Sequence, residues 1–208
     1  MNTLLKPLKV IALNGSPNKK GNTYRCIQKM FETFKQNKVE TEILQIGSKK
    51  IEGCHACFAC GKNKNFKCVI DNDCLNESIE KIRKADGLIA ASPVYFAGPT
   101  GKLKCFLDRL GFVSMNNKEE HGKRMLWHKV CAGISVHARG GGTNTLSQLN
   151  YFFSINGAVV PGSIYWNFAV GKGKGEVDAD VFGMKNMQDL AKEMTNLMQM
   201  VRDNKMKK

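Results

Sequence analysis

Short apolar runs and longer segments with helical periodicity alternate five times along this chain. Leu8-Lys9-Val10-Ile11-Ala12-Leu13 is an apolar, β-branched run that ends at Asn14-Gly15-Ser16-Pro17, where loop chemistry takes over. Beyond Gly21-Asn22-Thr23, Ile27, Met30, Phe31 and Phe34 fall at helical spacing, and the pattern stops near Asn37. Val39–Ile46 then reads as a second strand, and Ile79 and Ile82 mark the inward face of a second helix. Leu88–Ala91 reads as a third strand, followed by a third helix with Leu103, Phe106, Leu107 and Leu110 inward. His128–Val136 reads as a fourth strand and Leu146, Leu149 and Phe153 as a fourth helix. Gly157–Pro161 reads as a short fifth strand, and Met187 to Val201 as a long final helix with a Met-rich stripe suited to core packing.

Strands that alternate with helices imply an α/β fold, with a doubly wound parallel sheet covered on both faces. No linker or repeat divides the chain, so one domain is expected over residues 1–208, with a cysteine-rich loop, 52–74, between strand 2 and helix 2. Open sheets of this kind bind ligands outside the carboxyl ends of their strands. The loops to inspect are therefore 14–23, 92–99 and 137–143.

Composition narrows the chemistry. No apolar run approaches roughly 18 residues and the amino terminus lacks a hydrophobic leader, so neither a membrane span nor secretion is expected, and the expected location is cytoplasmic. The 32 Lys and Arg against 18 Asp and Glu leave a net charge of +14. Such a field attracts anions, yet the basic residues are spread from end to end without interleaved aromatics, which argues against a nucleic-acid surface. Eight cysteines in a chain with no secretory signal point to metal or redox chemistry over structural disulfides, and five of them lie between residues 54 and 74.

The first loop supplies Ser16, Pro17, Lys19, Gly21, Asn22 and Thr23 directly before a helix amino terminus. Unpaired N–H groups and the positive end of the helix dipole suit a phosphate there, although a plain turn and helix cap would use the same residues. The motif is neither a dinucleotide glycine fingerprint nor a Walker loop. In the second loop, Pro93, Val94, Tyr95 and Phe96 combine backbone polar groups with an aromatic wall for a planar ring. The third, around Arg139, Gly140 and Gly141, allows close backbone approach beside a cation.

Gly-Ser-Pro, then Gly-Asn-Thr, then Ser-Pro-Val-Tyr with Leu103-Lys104-x-Phe106-x-Asp108-Arg109 behind it resembles the flavodoxin-like NAD(P)H-dependent FMN reductases, and the cysteine loop resembles the iron-sulfur flavoproteins within them. The resemblance runs in order along nearly the whole chain. It implies a five-stranded sheet of order 2-1-3-4-5, with FMN phosphate on Ser16, Pro17, Asn22 and Thr23. The isoalloxazine would lie against Pro93, Val94, Tyr95 and Phe96, and Arg139, Gly140 and Gly141 would close the far side. Where the family usually carries Arg after Gly-Ser-Pro, this chain has Asn18, so Lys19 or Lys20 is expected to supply the charge. The resemblance also implies NAD(P)H as a possible electron donor, a redox partner protein or small-molecule acceptor, and a homodimer or homotetramer, for which the aromatic segment 164–177 is a candidate contact arm or a local lid.

Cys54, Cys57 and Cys60 form a C-x₂-C-x₂-C run, and Cys68 follows at a distance. Three thiolates from such a run and one from a longer loop match the one-thiolate-per-iron demand of a [4Fe–4S] cluster. Zinc, free thiols and a redox disulfide remain open alternatives. Cys74 stands where similar flavoproteins usually carry Met, and Cys26, Cys105 and Cys131 fall within apolar elements, so these four read as bystanders. Lys62, Lys64 and Lys67 would either offset cluster charge or merely solvate the loop. No Ser/His/Asp or paired-carboxylate constellation is present, and the reading is cofactor chemistry: electron transfer among FMN, a cluster and an external donor or acceptor. A cluster-free NAD(P)H:FMN or quinone reductase is the same-fold alternative, and a zinc-containing basic module the different one.

Overall fold

The computed structural model describes residues 6–119 and 122–206. Strands β1 (Lys9–Asn14), β2 (Glu40–Gln45), β3 (Gly87–Pro93), β4 (Val130–His137) and β5 (Phe168–Val170) form one sheet of order β2-β1-β3-β4-β5. Every neighbouring pair is parallel.

Successive strand residues point to opposite faces, so each central strand feeds two cores. Val10, Ala12, Ile89, Ala91, Ala132 and Ile134 face helices α1 (Asn22–Gln36) and α6 (Val181–Met206), where Ile27, Met30, Phe34, Leu190 and Met194 meet them. Ile11, Leu13, Leu88, Ala90 and Cys131 face the other way. There they meet Ile79 and Ile82 of α3 (Leu75–Arg83), Leu103 and Phe106 of α4 (Gly101–Asn116), and Leu149 and Phe153 of α5 (Gly142–Ile155). Each Val, Leu or Ile buried in this way contributes about 1.5–3 kcal/mol. The paired cores therefore hold the strands rigidly and leave the loops at their carboxyl ends to do chemistry. A fourth helix on this side, the short α2 (Ala59–Asn63), lies inside the cysteine-rich segment and has no periodic signature of its own.

The expected fifth strand at Gly157–Pro161 is corrected. Val159 makes one parallel bridge to Val130, using the Val159 N–H to Lys129 O at 2.9 Å and the Cys131 N–H to Val159 O at 2.8 Å. Pro161 has no N–H to extend the ladder, and the chain leaves the edge. It returns as Phe168–Val170, in register with Ser135–His137. The β4 edge is thus shared by two segments, and part of the expected contact arm is the true fifth strand. Among the described residues no helix is long and apolar enough to cross a membrane.

Candidate functional site

The end of β1 and the loop behind it are held by polar bonds that no periodicity announces. Buried Asn14 donates Nδ2–H to Gln45 Oε1 at 2.8 Å and accepts the Ser16 N–H on Oδ1 at 3.1 Å. Gln45 then donates to Ser16 O at 2.7 Å. From the other side, Thr100 donates its hydroxyl to Gly15 O at 2.7 Å, and the Gly15 N–H reaches Ala91 O at 2.8 Å. Gly47 packs so closely that a Cβ there would stand 2.2 Å from Gly15 O and 2.3 Å from the Ser16 carbonyl carbon. The sequence marks Asn14 only as the start of the loop and gives no sign of Gln45 or Gly47; the folded register brings them under it.

Within that cradle Ser16 and Thr23 are buried, while Pro17, Asn18, Lys19 and Lys20 are exposed. Gly21 is the N-cap of α1, with no side-chain cap on the helix and no acidic residue in its first turn. Uncapped N–H groups beside two lysines, with no acid in the helix's own first turn, are the chemistry an anion would need there. The Asn22 side chain is committed elsewhere: Nδ2 donates to Gly171 O at 3.1 Å and Gly173 O at 2.8 Å, and Oδ1 accepts the Gly175 N–H at 2.7 Å. Asn22 thereby ties the segment after β5 to the amino end of α1.

After β3, Tyr95 and Gly98 exchange backbone hydrogen bonds at 2.9 and 3.0 Å, and Phe96 and Ala97 at the tip adopt positive φ of 47° and 59°. Phe96 is fully exposed and Tyr95 about half exposed, whereas Pro93 and Val94 are half-buried. Gly141, with φ of 79°, approaches this turn so closely that a Cβ would meet Val94 Cγ1 at 3.0 Å and Ala97 Cα at 3.1 Å. Arg139 and Gly140 are exposed beside it. The three loops anticipated from sequence therefore form one continuous rim along the carboxyl edge of the sheet.

His137 closes β4 under this rim, edge-on to Phe168 at 4.9 Å, with Nδ1 buried and unpartnered. Burial lowers its pKa, opposed by the charge of Asp180. An unfolded imidazole titrates near about 6.5, so on acidification the unfolded chain takes up this proton before the folded one does. Stability is present above that pH and is lost as pH falls through the lower folded value. We expect the denaturation midpoint to decline from pH 7 to 5 more steeply in the native chain than in a His137→Gln variant; equal slopes would assign the acid sensitivity elsewhere.

The cysteine-rich segment runs between β2 and α3. Cys54, Cys57, Cys60 and Cys68 line a single pocket with Phe58, Ile70, Arg109, Phe112 and Val113. Cys54 and Cys57 are exposed, Cys68 is half-buried and Cys60 is buried. Burial pushes the Cys60 thiol up, and the nearby Cys68 and Cys57 sulfurs add to the shift. Among the described residues no three His, Cys, Asp or Glu side chains are grouped as ligands of one metal ion. Ala56, Phe58, Lys64 and Phe66 all adopt positive φ, a concentration of unfavourable backbone in one short segment. Cys74 stands outside the pocket as the N-cap residue of α3, and Cys26 and Cys131 are buried with pKa pushed up to about 12.

The segment is secured chiefly from α4. Arg109, fully buried, pairs with the equally buried Asp73 and donates to Glu52 O and Ile70 O, joining the two arms of the segment. Removing one partner of such a pair costs about 3–5 kcal/mol. Asn117, one residue past α4, donates to Cys60 O at 3.2 Å and accepts the Phe66 N–H at 3.0 Å. His55 is exposed beside Glu52, and Lys62, Lys64 and Lys67 are exposed too, where solvent screens their charge. The buried cation of the segment is Arg109, which the sequence displayed only as one letter of a helix motif.

A model of the NADPH-dependent FMN reductase family matches residues 8–173. The chain is 30% identical to an iron-sulfur flavoprotein of Methanocaldococcus jannaschii, over 94% of this chain and 100% of that one. It is 31% identical to an iron-sulfur flavoprotein of Methanosarcina thermophila, over 95% and 99% respectively. Among solved structures, RosB with bound 8-demethyl-8-formylriboflavin-5'-phosphate superposes with a TM-score of 0.77 at 20% identity, covering 94% of this chain and 81% of that one. The NAD(P)H:quinone oxidoreductase from Methanothermobacter marburgensis does so with 0.64 at 13%, covering 89% and 96%. Fold and family together define a flavodoxin-like, FMN-binding oxidoreductase. The chain belongs to the NADPH-dependent FMN reductase family, in its iron-sulfur flavoprotein subgroup.

Proposed function

We propose that this chain is an electron-transfer flavoprotein that holds FMN on the carboxyl rim of the sheet and a [4Fe–4S] cluster on Cys54, Cys57, Cys60 and Cys68. The observation that carries the reading is the grouping of those four thiols, and no other cysteine, around one pocket secured by a buried arginine. A [4Fe–4S] cubane asks one thiolate per iron of the protein, and four thiols around one pocket meet that count. FMN exchanges two electrons and such a cluster one, so the pair adapts a two-electron donor or acceptor to a one-electron partner.

For FMN, the uncapped start of α1 with Ser16, Gly21 and Thr23 would take the phosphate, with Lys19 adding charge and Pro17 shaping the turn. Pro93, Val94, Tyr95 and Phe96 would flank the ring on one side and Arg139, Gly140 and Gly141 on the other. One domain organises both centres over residues 1–208, with the cluster segment at 52–74. The exposed Tyr165, Trp166 and Phe182 support self-association as a homodimer or homotetramer, for which the molar mass in solution is decisive. NAD(P)H would donate electrons, and a ferredoxin-like protein or a quinone would accept them.

The test is anaerobic purification followed by flavin, iron and acid-labile sulfide analysis with visible and EPR spectra. Stoichiometric FMN, iron and sulfide are expected. FMN without iron or sulfide would replace this reading with a cluster-free reductase.

A further inference from the structure

We propose that Arg109 is a positioning residue that raises the reduction potential of the cluster by donating a hydrogen bond to the sulfur of Cys68, an inference that rests on the cluster reading above.

Arg109 is 1% exposed on a helix face otherwise made of Leu103, Phe106, Leu110 and Val113. Two of its interactions are those of a structural staple: Nη2 to Ile70 O and Nη1 to Glu52 O at 3.3 Å. A third is the ion pair to Asp73, which makes the buried charge tolerable. Its remaining polar contact is different in kind, with the Nε–H directed at Cys68 Sγ at 3.4 Å. A thiol sulfur is a weak acceptor, but the sulfur of a metal thiolate carries the negative charge that makes this bond favourable.

Cys68 is also the cysteine outside the C-x₂-C-x₂-C run, and it has the fewest neighbours in sequence to position it. Its backbone is gripped by Asn76 of α3, which accepts the Cys68 N–H at 2.8 Å and donates to Cys68 O at 2.9 Å. Arg109 of α4 reaches the sulfur itself, so two helices fix the ligand that local sequence leaves loose. Reduction adds negative charge to a centre that already bears four thiolates. A hydrogen-bond donor fixed on one thiolate sulfur stabilises the reduced form more than the oxidised form. An ammonium in place of the guanidinium keeps the charge but loses the planar fork that serves sulfur, carbonyls and carboxylate together.

The experiment compares the intact, anaerobically loaded protein with R109K and with R109Q/D73N, whose paired substitution leaves no buried charge unpartnered. The readout is the midpoint potential of the cluster from EPR-monitored redox titration, normalised to bound iron. Both variants should shift to more negative potential, R109K less than R109Q/D73N. Loaded variants with the native potential would overturn the proposal and leave Arg109 a staple only. Should the variants fail to load, pulsed EPR of the reduced native protein labelled with ¹⁵N-arginine decides. A side-chain ¹⁵N coupling to the cluster supports the bond, and its absence overturns it. A native protein without iron and sulfide would instead defeat the cluster reading itself, a result distinct from a loaded cluster with an unshifted potential.

Discussion

Replacing Gly47 by alanine is expected to weaken FMN binding by roughly ten- to hundredfold, through strain of about 1–3 kcal/mol. The new Cβ would stand 2.2 Å from Gly15 O, 2.3 Å from the Ser16 carbonyl carbon and 2.4 Å from Ser16 O. All three are backbone atoms, so no side chain can swing aside. Nor is the loop free to retreat, because Thr100 and Ala91 hold Gly15, and Gln45 and Asn14 hold Ser16. A Cβ on Gly15 itself would meet Leu103 Cδ2 at 2.7 Å, which closes the opposite direction of escape. Fluorescence titration of the flavin-free protein reads the affinity, and its melting curve reads the accompanying loss of stability. Native affinity in a folded Gly47→Ala chain would mean that loop 14–23 does not grip the phosphate.

Cys57→Ser should lower iron and acid-labile sulfide from about four each per chain to background while FMN remains bound, because a cubane needs one thiolate per iron. Cys57 lies at the exposed middle of the C-x₂-C-x₂-C run, so the substitution disturbs no core. Cys74→Ser is the matched control. That residue lies in the same segment but outside the pocket, as the N-cap residue of α3, and its loss should leave the metal content unchanged. Full iron in Cys57→Ser would remove it from the ligand set, and loss of iron in Cys74→Ser would admit a fifth candidate.

The four longer strands and the five long helices were legible because each buries a whole face, and burial of a face imposes a period of two or 3.6 residues. Phe168–Val170 escaped because three residues show no period, and Gly157–Pro161 was mistaken for it because a single bridged residue, Val159, sits in an apolar run. Helix α2 escaped for the same reason: five residues of Ala-Cys-Gly-Lys-Asn bury little beyond Cys60. The loops anticipated as a cofactor rim do meet, since strand ends in a parallel sheet must gather at one edge.

Asn22 illustrates the limit. Its position at the start of α1 suggested a phosphate contact, but its side chain is spent on Gly171, Gly173 and Gly175, about 150 residues away in the chain. The supports of the site share this property. Gln45 and Gly47 lie under Ser16, and Arg109 lies beside Cys68, only because strand register and helix packing place them there.

Local order along the chain was enough to specify the alternating elements, the three rim loops and the spacing of Cys54, Cys57, Cys60 and Cys68, because those features arise from near neighbours in sequence. The sheet edge chosen by Phe168–Val170, the cradle beneath Ser16 and the buried guanidinium aimed at Cys68 were decided by tertiary packing. Each joins groups separated by tens of residues, whose hydrogen bonds form only after the two cores have closed on the sheet.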